Sequence, residues 1–167
     1  MRALNEQEIR GSLLNGSKRE MAQASLPDLS AVAWEREIYL GWTDAKRPQE
    51  SYVVFEDPES GELLGAILRA APAPAGRRKM MCSWCQDITE LDNVAFVSAK
   101  RTGAAGRSGS TIGTSLCRDF SCSKNVRPLP SISEVSDPAE QEWWTQRRIA
   151  DLQQKIRGFF VQLRGGA

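Results

Sequence analysis

The clearest pattern of hydrophobic positions lies towards the end of the chain, where apolar side chains recur at roughly 3.6-residue spacing. The positions are Trp144, Ile149, Leu152, Ile156, Phe159, Phe160 and Leu163. The sequence Asp137-Pro138-Ala139-Glu140 precedes them and has the residue types of a helix start. These features predict an amphipathic helix over residues 138–163. We expect its apolar stripe to pack on this domain or on another copy of the protein, the alternative being that the stripe is exposed and binds a partner.

A different pattern, rich in β-branched and aromatic residues, predicts a β-hairpin in the first half of the chain. Tyr52-Val53-Val54-Phe55 forms the outgoing strand, residues 57–61 have turn chemistry, and residues 63–69 form the return strand. A short connector follows at residues 71–76. Further strands are predicted over residues 80–85, 94–100 and 112–117, with the first two forming a pair.

The N-terminal region predicts short helices. Asn5-Glu6-Gln7-Glu8 has the residues of a capping box, so we expect a helix over residues 6–14 and a second over residues 18–24. Residues 28–40 fit either a helix or coil that packs on the core. Gly41-Trp42-Thr43-Asp44 is expected to break that segment.

Together these elements predict an α+β protein with three parts. The chain of 167 residues is long enough for one compact domain with a small helical addition. The parts are an N-terminal helical segment over residues 1–40, a domain with a small antiparallel sheet over residues 41–130, and a C-terminal amphipathic helix over residues 137–164.

Composition narrows the function. The chain contains no histidine, which excludes Ser–His and Cys–His nucleophile pairs and mixed Cys/His metal sites. Its net charge of +1 gives no global signal for nucleic acid, and we expect no DNA binding. We find neither an apolar run long enough to span a membrane nor a signal peptide, and therefore expect a cytoplasmic protein. The missing histidine, together with the closed metal site described next, leads us to expect that the protein is not an enzyme.

The cysteines carry the strongest chemical signal. Cys82 and Cys85 form a C-x2-C pair, Cys117 and Cys122 form a C-x4-C pair, and no cysteine is left over. In a reducing compartment such pairs are typical of metal ligands. Four thiolates suit tetrahedral Zn²⁺ and leave no open position, so the predicted ion is structural. A knuckle, a hairpin and then ligands at a helix start indicate a treble-clef zinc finger.

The cysteines have two other interpretations, which are four unrelated buried cysteines or a redox C-x-x-C pair. A redox pair is expected at the start of a helix, whereas Cys82 follows the strand-like residues Lys79-Met80-Met81.

The segment over residues 100–127 is basic, with six cations against the single acid Asp119. We interpret it as a surface for an acidic protein or ribosomal RNA, the alternative being an ordinary solvated loop. Residues 102–111, rich in glycine and serine, are expected to lie flat on a partner. Phe96 and Phe120 flank the basic run as candidate anchors, although a phenylalanine on a strand often belongs to the core. The predicted partner-binding residues are Phe96, Lys100, Arg101, Arg107, Arg118, Phe120, Lys124 and Arg127.

Several of these motifs together resemble the elongation factor G-binding protein family, which includes fusidic-acid-resistance proteins. The matching segments are residues 40–44, the hairpin from Tyr52, residues 82–85, residues 109–113 and residues 117–123. The resemblance is strongest over about residues 40–127 and extends back to residue 5, but it does not place the C-terminal helix.

This resemblance implies a C-terminal treble-clef domain in which Cys82, Cys85, Cys117 and Cys122 bind zinc. It also implies binding to elongation factor G and release of that factor from a stalled ribosome, with fusidic acid resistance as a further consequence. The hypothesis is thus a non-catalytic, zinc-stabilised binding protein. The rivals are a ribosome- or RNA-binding zinc module and a thiol oxidoreductase.

Overall fold

A five-stranded antiparallel sheet forms the centre of the protein in the computed structural model, which describes residues 1–70 and 79–166. The strands are β1 (Tyr39–Thr43), β2 (Glu50–Glu56), β3 (Leu63–Ala70), β4 (Val94–Lys100) and β5 (Thr111–Cys117). Their order in the sheet is their order in the chain. The β2–β3 hairpin confirms the hairpin prediction, whereas the predicted connector at residues 71–76 lies outside the described residues.

Five α-helices are found in the described part of the chain. They are α1 (Glu6–Ser12), α2 (Lys18–Gln23), α3 (Gly103–Arg107), α4 (Cys122–Asn125) and α5 (Pro138–Leu163). Short 3-10 turns lie at Leu29–Ala31, Trp34–Arg36 and Leu91–Asn93. The capping box at Asn5 and Glu8 is present, and Ser17 and Glu20 form a second one at α2. No helix in these residues is long and apolar enough to cross a membrane.

Strand β1 corrects the prediction that residues 41–44 interrupt the segment over residues 28–40, because the strand runs from Tyr39 to Thr43. Gly41 pairs with Val53 in the middle of the β1–β2 ladder. A Cβ atom on Gly41 would lie 2.4 Å from Cδ1 of Phe120, so the glycine lets that ring approach the strand. Gly41 therefore allows a distant segment to pack closely on the strand, and it does not interrupt the strand.

Two further predictions were wrong. Residues 80–85 form a turn and not a strand, and β4 pairs with β3 and β5 instead. Residues 102–111 do not form a flat loop, because they contain α3. The amide of Thr102 donates to the carbonyl of Leu163 at 3.0 Å, which attaches this segment to the end of α5.

The sheet is the middle layer of three, as the alternation along β2 shows. Val53 and Phe55 belong to a core cluster shared with α5 and the cysteines. Tyr52 and Val54 belong to a second cluster, shared with the N-terminal helices and the 3-10 turns. Since successive side chains of a strand point to opposite faces, β2 is buried on both sides.

Helix α5 has the predicted bounds and packs mainly on this domain. Its buried apolar residues are Leu152, Ile156, Phe159, Phe160 and Leu163. The ring of Phe160 stacks on Phe55 with centroids 6.5 Å apart. The packed stripe does not include the start of the helix, where Trp143 and Trp144 are 52% and 40% exposed.

The N-terminal layer is held to the sheet by the buried carboxylate of Asp44. Its Oδ1 accepts hydrogen bonds from the amides of Lys46 and Arg47, at 2.8 and 3.0 Å. Its Oδ2 accepts from the amide of Ser25, from Nη2 of Arg47 and from the hydroxyl of Tyr52, each at 3.0 Å. One carboxylate thereby joins the turn after β1, the segment after α2 and strand β2.

Candidate functional site

The four cysteines lie together beneath one end of the sheet. Their sulfur atoms all lie within 4.8 Å of one another, and all four residues are buried. The Sγ atoms of Cys82 and Cys122 are 3.6 Å apart, as are those of Cys85 and Cys117. These distances are much longer than the roughly 2.0 Å of a disulfide, and the cysteines are free.

The geometry of the sulfur atoms fits zinc. A tetrahedral ion with Zn–S bonds of about 2.3 Å separates its ligand sulfurs by about 3.8 Å. The neighbouring Cys117 thiol lowers the pKa of Cys82 and raises the pKa of Cys122, so the four thiols do not all ionise by themselves. Four thiolates this close together therefore need a cation, and Zn²⁺ supplies it.

The four ligands come from three local structures: a turn, a strand end and a helix start. Cys82 and Cys85 lie in the turn before β4, where Gln86 has a φ of 54° and its amide donates to the carbonyl of Cys82 at 3.0 Å. Cys117 ends β5, and Cys122 is the first residue of α4. The second pair thus approaches the ion from a strand end and a helix start, as the sequence predicted.

A side-chain hydrogen-bond donor lies next to two of the ligand sulfurs. The carboxamide Nδ2 of Asn125 lies 3.9 Å from Sγ of Cys85 and 3.8 Å from Sγ of Cys117. It also donates to Oγ of Ser121 at 3.2 Å, which fixes its direction. Such outer partners orient metal ligands and tune their charge. The sequence carries only a weak signal for Asn125, which is its position four residues after Ser121.

The opposite side of the cluster is sealed by β1. Burial raises the pKa of Tyr39 well above its ordinary value, and the neighbouring Cys122 adds to this shift. The hydroxyl of Tyr39 therefore stays protonated and donates to the carbonyl of Phe120 at 3.2 Å. Close by, the amide of Ile38 donates to Oγ of Ser123 at 3.0 Å. The finger is thereby fastened to the edge of the sheet.

Trp84, between the first two ligands, belongs to the core. It is 2% exposed and packs edge-on against Tyr39, with ring centroids 5.1 Å apart, and against Phe159 of α5 at 5.7 Å. The knuckle therefore contributes apolar contacts to the same cluster as the sheet and α5. Zinc holds these contacts in place, because it fixes Cys82 and Cys85, which lie two positions before and one position after Trp84.

The family comparison agrees with this geometry. The model of a family described as the FBP C-terminal treble-clef zinc-finger matches residues 8–163. The chain belongs to this family. No curated protein and no solved structure matches the chain. As a treble-clef zinc finger of this family, the protein holds Zn²⁺ through Cys82, Cys85, Cys117 and Cys122.

The extent of the match corrects one expectation. The resemblance found in the sequence did not place the C-terminal helix, yet the FBP match runs to Leu163, the last residue of α5. It also begins within α1, at residue 8. The helix that buries Trp84 and Phe55 is thus part of the FBP zinc-finger unit and not an addition to it.

The basic segment of this FBP zinc finger does not form one continuous patch. Lys100 and Arg107 lie at the end of the β4–β5 pair that is joined by α3. Arg118 and Lys124 lie at the other end, beside the cysteines. The paired residues Val94 and Cys117 mark that end of the ladder. A strand of this length separates the two groups by about 20 Å, at roughly 3.3 Å per residue.

Not all the predicted cations are free to bind a partner. Nη1 of Arg101 donates to the carbonyl of Gln162 at 2.7 Å, and Nη2 of Arg127 donates to the carbonyl of Arg36 at 2.7 Å. These two arginines hold the fold together. Within residues 1–70 and 79–166, no hydrogen bond or ion pair engages the side chains of Lys100, Arg107, Arg118 and Lys124.

The two candidate anchors have different environments. Phe96 is 50% exposed, so it does not belong to the core. Its ring lies over Gly113 of β5, where an added Cβ would be 2.3 Å from Cζ of Phe96. Phe120 is half-buried, has a φ of 58° and packs against Gly41. Phe96 therefore presents an apolar surface to solvent, whereas Phe120 mainly packs within the chain.

Proposed function

We propose that this protein is a non-catalytic binding protein for elongation factor G that promotes release of the factor from the ribosome. The observation that carries the proposal is the FBP zinc-finger match over residues 8–163, together with the sequence resemblance to elongation factor G-binding proteins. The closed four-thiolate site supports a structural role for zinc, because it leaves no coordination position for a substrate or water.

One surface of the protein suits the contact. The outward side chains of β4 and β5 form a face that the N-terminal layer leaves uncovered, which we call the open β4–β5 face. It comprises Phe96, Ser98, Lys100, Thr111, Gly113 and Ser115, which are cross-strand partners on one side of the sheet. An exposed aromatic ring on a rigid strand, with cations at both ends, is suited to an acidic protein surface.

Under this proposal, the predicted residues have different roles in binding. Phe96 acts as the apolar anchor, and Lys100, Arg107, Arg118 and Lys124 supply charge at the two ends. Arg101, Arg127 and Phe120 act through the fold, because their side chains contact other parts of this chain.

The test is a pull-down of the organism's own elongation factor G with the zinc-loaded protein, followed by measurement of the dissociation constant. Replacing an anchor residue of an interface costs about 2 kcal/mol or more, so Phe96→Ala should weaken binding by roughly 30-fold. Lys100→Ala should weaken it less and make it less sensitive to salt.

Matched controls are available on other surfaces. Trp143→Ala removes another half-exposed aromatic ring, and Lys18→Ala removes an exposed lysine of α2. Both should leave binding unchanged. Failure of the folded, zinc-loaded protein to retain the factor would contradict the proposal. Retention of ribosomal RNA without the factor, with affinity falling steeply with salt, would instead favour the RNA-binding rival.

A further inference from the structure

All four ligands of the zinc site are buried, but they differ in how much of each residue reaches solvent. Cys82 and Cys122 are 0% exposed, whereas Cys85 and Cys117 are 8% and 4% exposed. The sealed pair lies against Tyr39 and the core of the sheet, with Cys122 next to the Tyr39 hydroxyl. A small reagent from solvent therefore meets Cys85 and Cys117 first.

The less buried side of the site has a polar neighbour, the carboxamide of Asn125. Its Nδ2 lies 3.9 Å from Sγ of Cys85 and 3.8 Å from Sγ of Cys117, the two ligand residues that retain some exposure. An N–H directed at a thiolate withdraws electron density from it, and the thiolate is the reactive form of cysteine. Asn125 thus both covers these sulfurs and lowers their nucleophilicity.

We propose that Cys85 and Cys117 form a peroxide-sensitive modification site whose reactivity is limited by Asn125. The inference rests on the zinc site alone and is independent of binding to elongation factor G. Because the two sulfurs are already 3.6 Å apart, they form a disulfide with only a small further approach.

Hydrogen peroxide is the oxidant, and the reaction has two steps. The Cys85 thiolate attacks one peroxide oxygen, the O–O bond breaks, and the products are a Cys85 sulfenic acid and hydroxide. The Cys117 thiolate then attacks the Cys85 sulfur, forming the S–S bond and expelling a second hydroxide. Two electrons pass from the thiolates to peroxide. Cys82 and Cys122 alone do not fill a four-ligand shell, so the metal dissociates.

The first experiment identifies the disulfide that forms first. The zinc-loaded protein is treated with substoichiometric hydrogen peroxide, the remaining thiols are alkylated under denaturing conditions, and the peptides are analysed by mass spectrometry. Cleavage after Trp84 and Arg118 separates the members of each cysteine pair. We expect a Cys85–Cys117 disulfide, with zinc release measured by a chromophoric chelator. A first disulfide that contains Cys82 or Cys122 overturns the proposal.

The second experiment tests the role of Asn125. Asn125→Ala should release zinc under peroxide about tenfold faster than the unmodified protein, the scale typical for loss of an outer-shell partner. Asn93→Ala is the matched control, since the Asn93 carboxamide donates to Glu90 and, within residues 1–70 and 79–166, makes no hydrogen bond to a cysteine. Equal rates for the two variants overturn the role of Asn125. The thermal midpoints of the two variants without peroxide are also compared, because an unchanged midpoint for Asn125→Ala shows that the faster zinc release does not come from a loosened fold. The disulfide mapping does not depend on any variant.

Discussion

The Asp44 network allows a sharp test of how the N-terminal layer is attached. In Asp44→Asn, the retained carbonyl oxygen still accepts from the amides of Lys46 and Arg47. The new NH₂ group, however, faces three donors: the Ser25 amide, the Arg47 guanidinium and the Tyr52 hydroxyl. The hydroxyl can turn to accept. The Ser25 amide loses its acceptor, and the Arg47 guanidinium loses the carboxylate but keeps the Gln23 carbonyl and the Tyr52 hydroxyl as acceptors.

The magnitude follows from these two losses. An unsatisfied buried donor costs about 1–3 kcal/mol, and a hydrogen bond to a charged group contributes about 1.5–3 kcal/mol. Arg47 is partly exposed and also pairs with Glu50, so losing its bond to residue 44 costs less than it would in a fully buried pair. We expect the free energy of unfolding to fall by about 2–4 kcal/mol, which lowers the thermal midpoint by roughly 10 °C in a domain of this size.

The pH dependence gives a second measure of the same network. Burial by itself raises the pKa of Asp44, but the hydrogen bonds from Ser25, Arg47 and Lys46 outweigh burial and hold the pKa well below its ordinary value. The carboxylate therefore stabilises the fold above the unfolded pKa of about 3.9. This contribution is lost as the pH falls through that value towards the folded pKa.

Urea denaturation of both proteins between pH 7 and pH 3.5 measures this effect. The stability difference between them should shrink at the acidic end, and any loss of zinc affects both alike. Asp28→Asn is the matched control, because the Asp28 carboxylate is exposed and serves only a local turn. If Asp44→Asn is no less stable than Asp28→Asn at pH 7, the reasoning about the buried network is wrong.

Three further changes test the zinc site and the core. Cys117→Ser should prevent stoichiometric zinc binding and lower the thermal midpoint, and retention of one zinc per chain in elemental analysis would contradict this. Gly41→Ala should cost about 1–3 kcal/mol in urea denaturation, because its Cβ would overlap the Phe120 ring; Gly158→Ala, which meets nothing within 4 Å, should not destabilise. Phe160→Ala should cost about 3–5 kcal/mol by the same assay, and a cost under 1 kcal/mol would rule out tight packing on the sheet.

Elements with strong local signals were predicted well from the sequence. The β2–β3 hairpin has turn residues between two apolar runs, and α5 has both a start signal and a long apolar stripe. The zinc ligands belong to the same class, since C-x2-C and C-x4-C spacing depends on short stretches of chain. In each case the residues that determine the structure lie within about one element of each other.

Elements that depend on distant contacts were not predicted. Strand β1 contains Gly41 and Trp42, which look like a break until Phe120 packs on the glycine. The apolar Met80 and Met81 resemble a strand, but the ligands Cys82 and Cys85 bend the chain into a turn. The helix α3 has two alanines between glycines and is too short to show a helical pattern of apolar residues. The hydrogen bond from Thr102 to Leu163 helps to stabilise it.

The limits were similar at the candidate site. Charge counting found the basic segment over residues 100–127, but could not show that the ladder divides it or that Arg101 and Arg127 bind carbonyl groups of this chain. Tyr39 and Asn125 also escaped notice. Both reach the cysteines only through tertiary contacts, from β1 and α4 respectively.

The attachment of β1 to the finger has a consequence for how the chain assembles during synthesis. The Ile38 amide is satisfied by Ser123, 85 positions later, and Asp57 after β2 pairs with Arg157, 100 positions later. The β2–β3 hairpin is synthesised first, so Val53 and Phe55 remain uncovered by α5 until that helix has left the ribosome. Metal loading must wait too, since the fourth thiolate is Cys122. A nascent chain therefore completes its fold late, and in nearly one step.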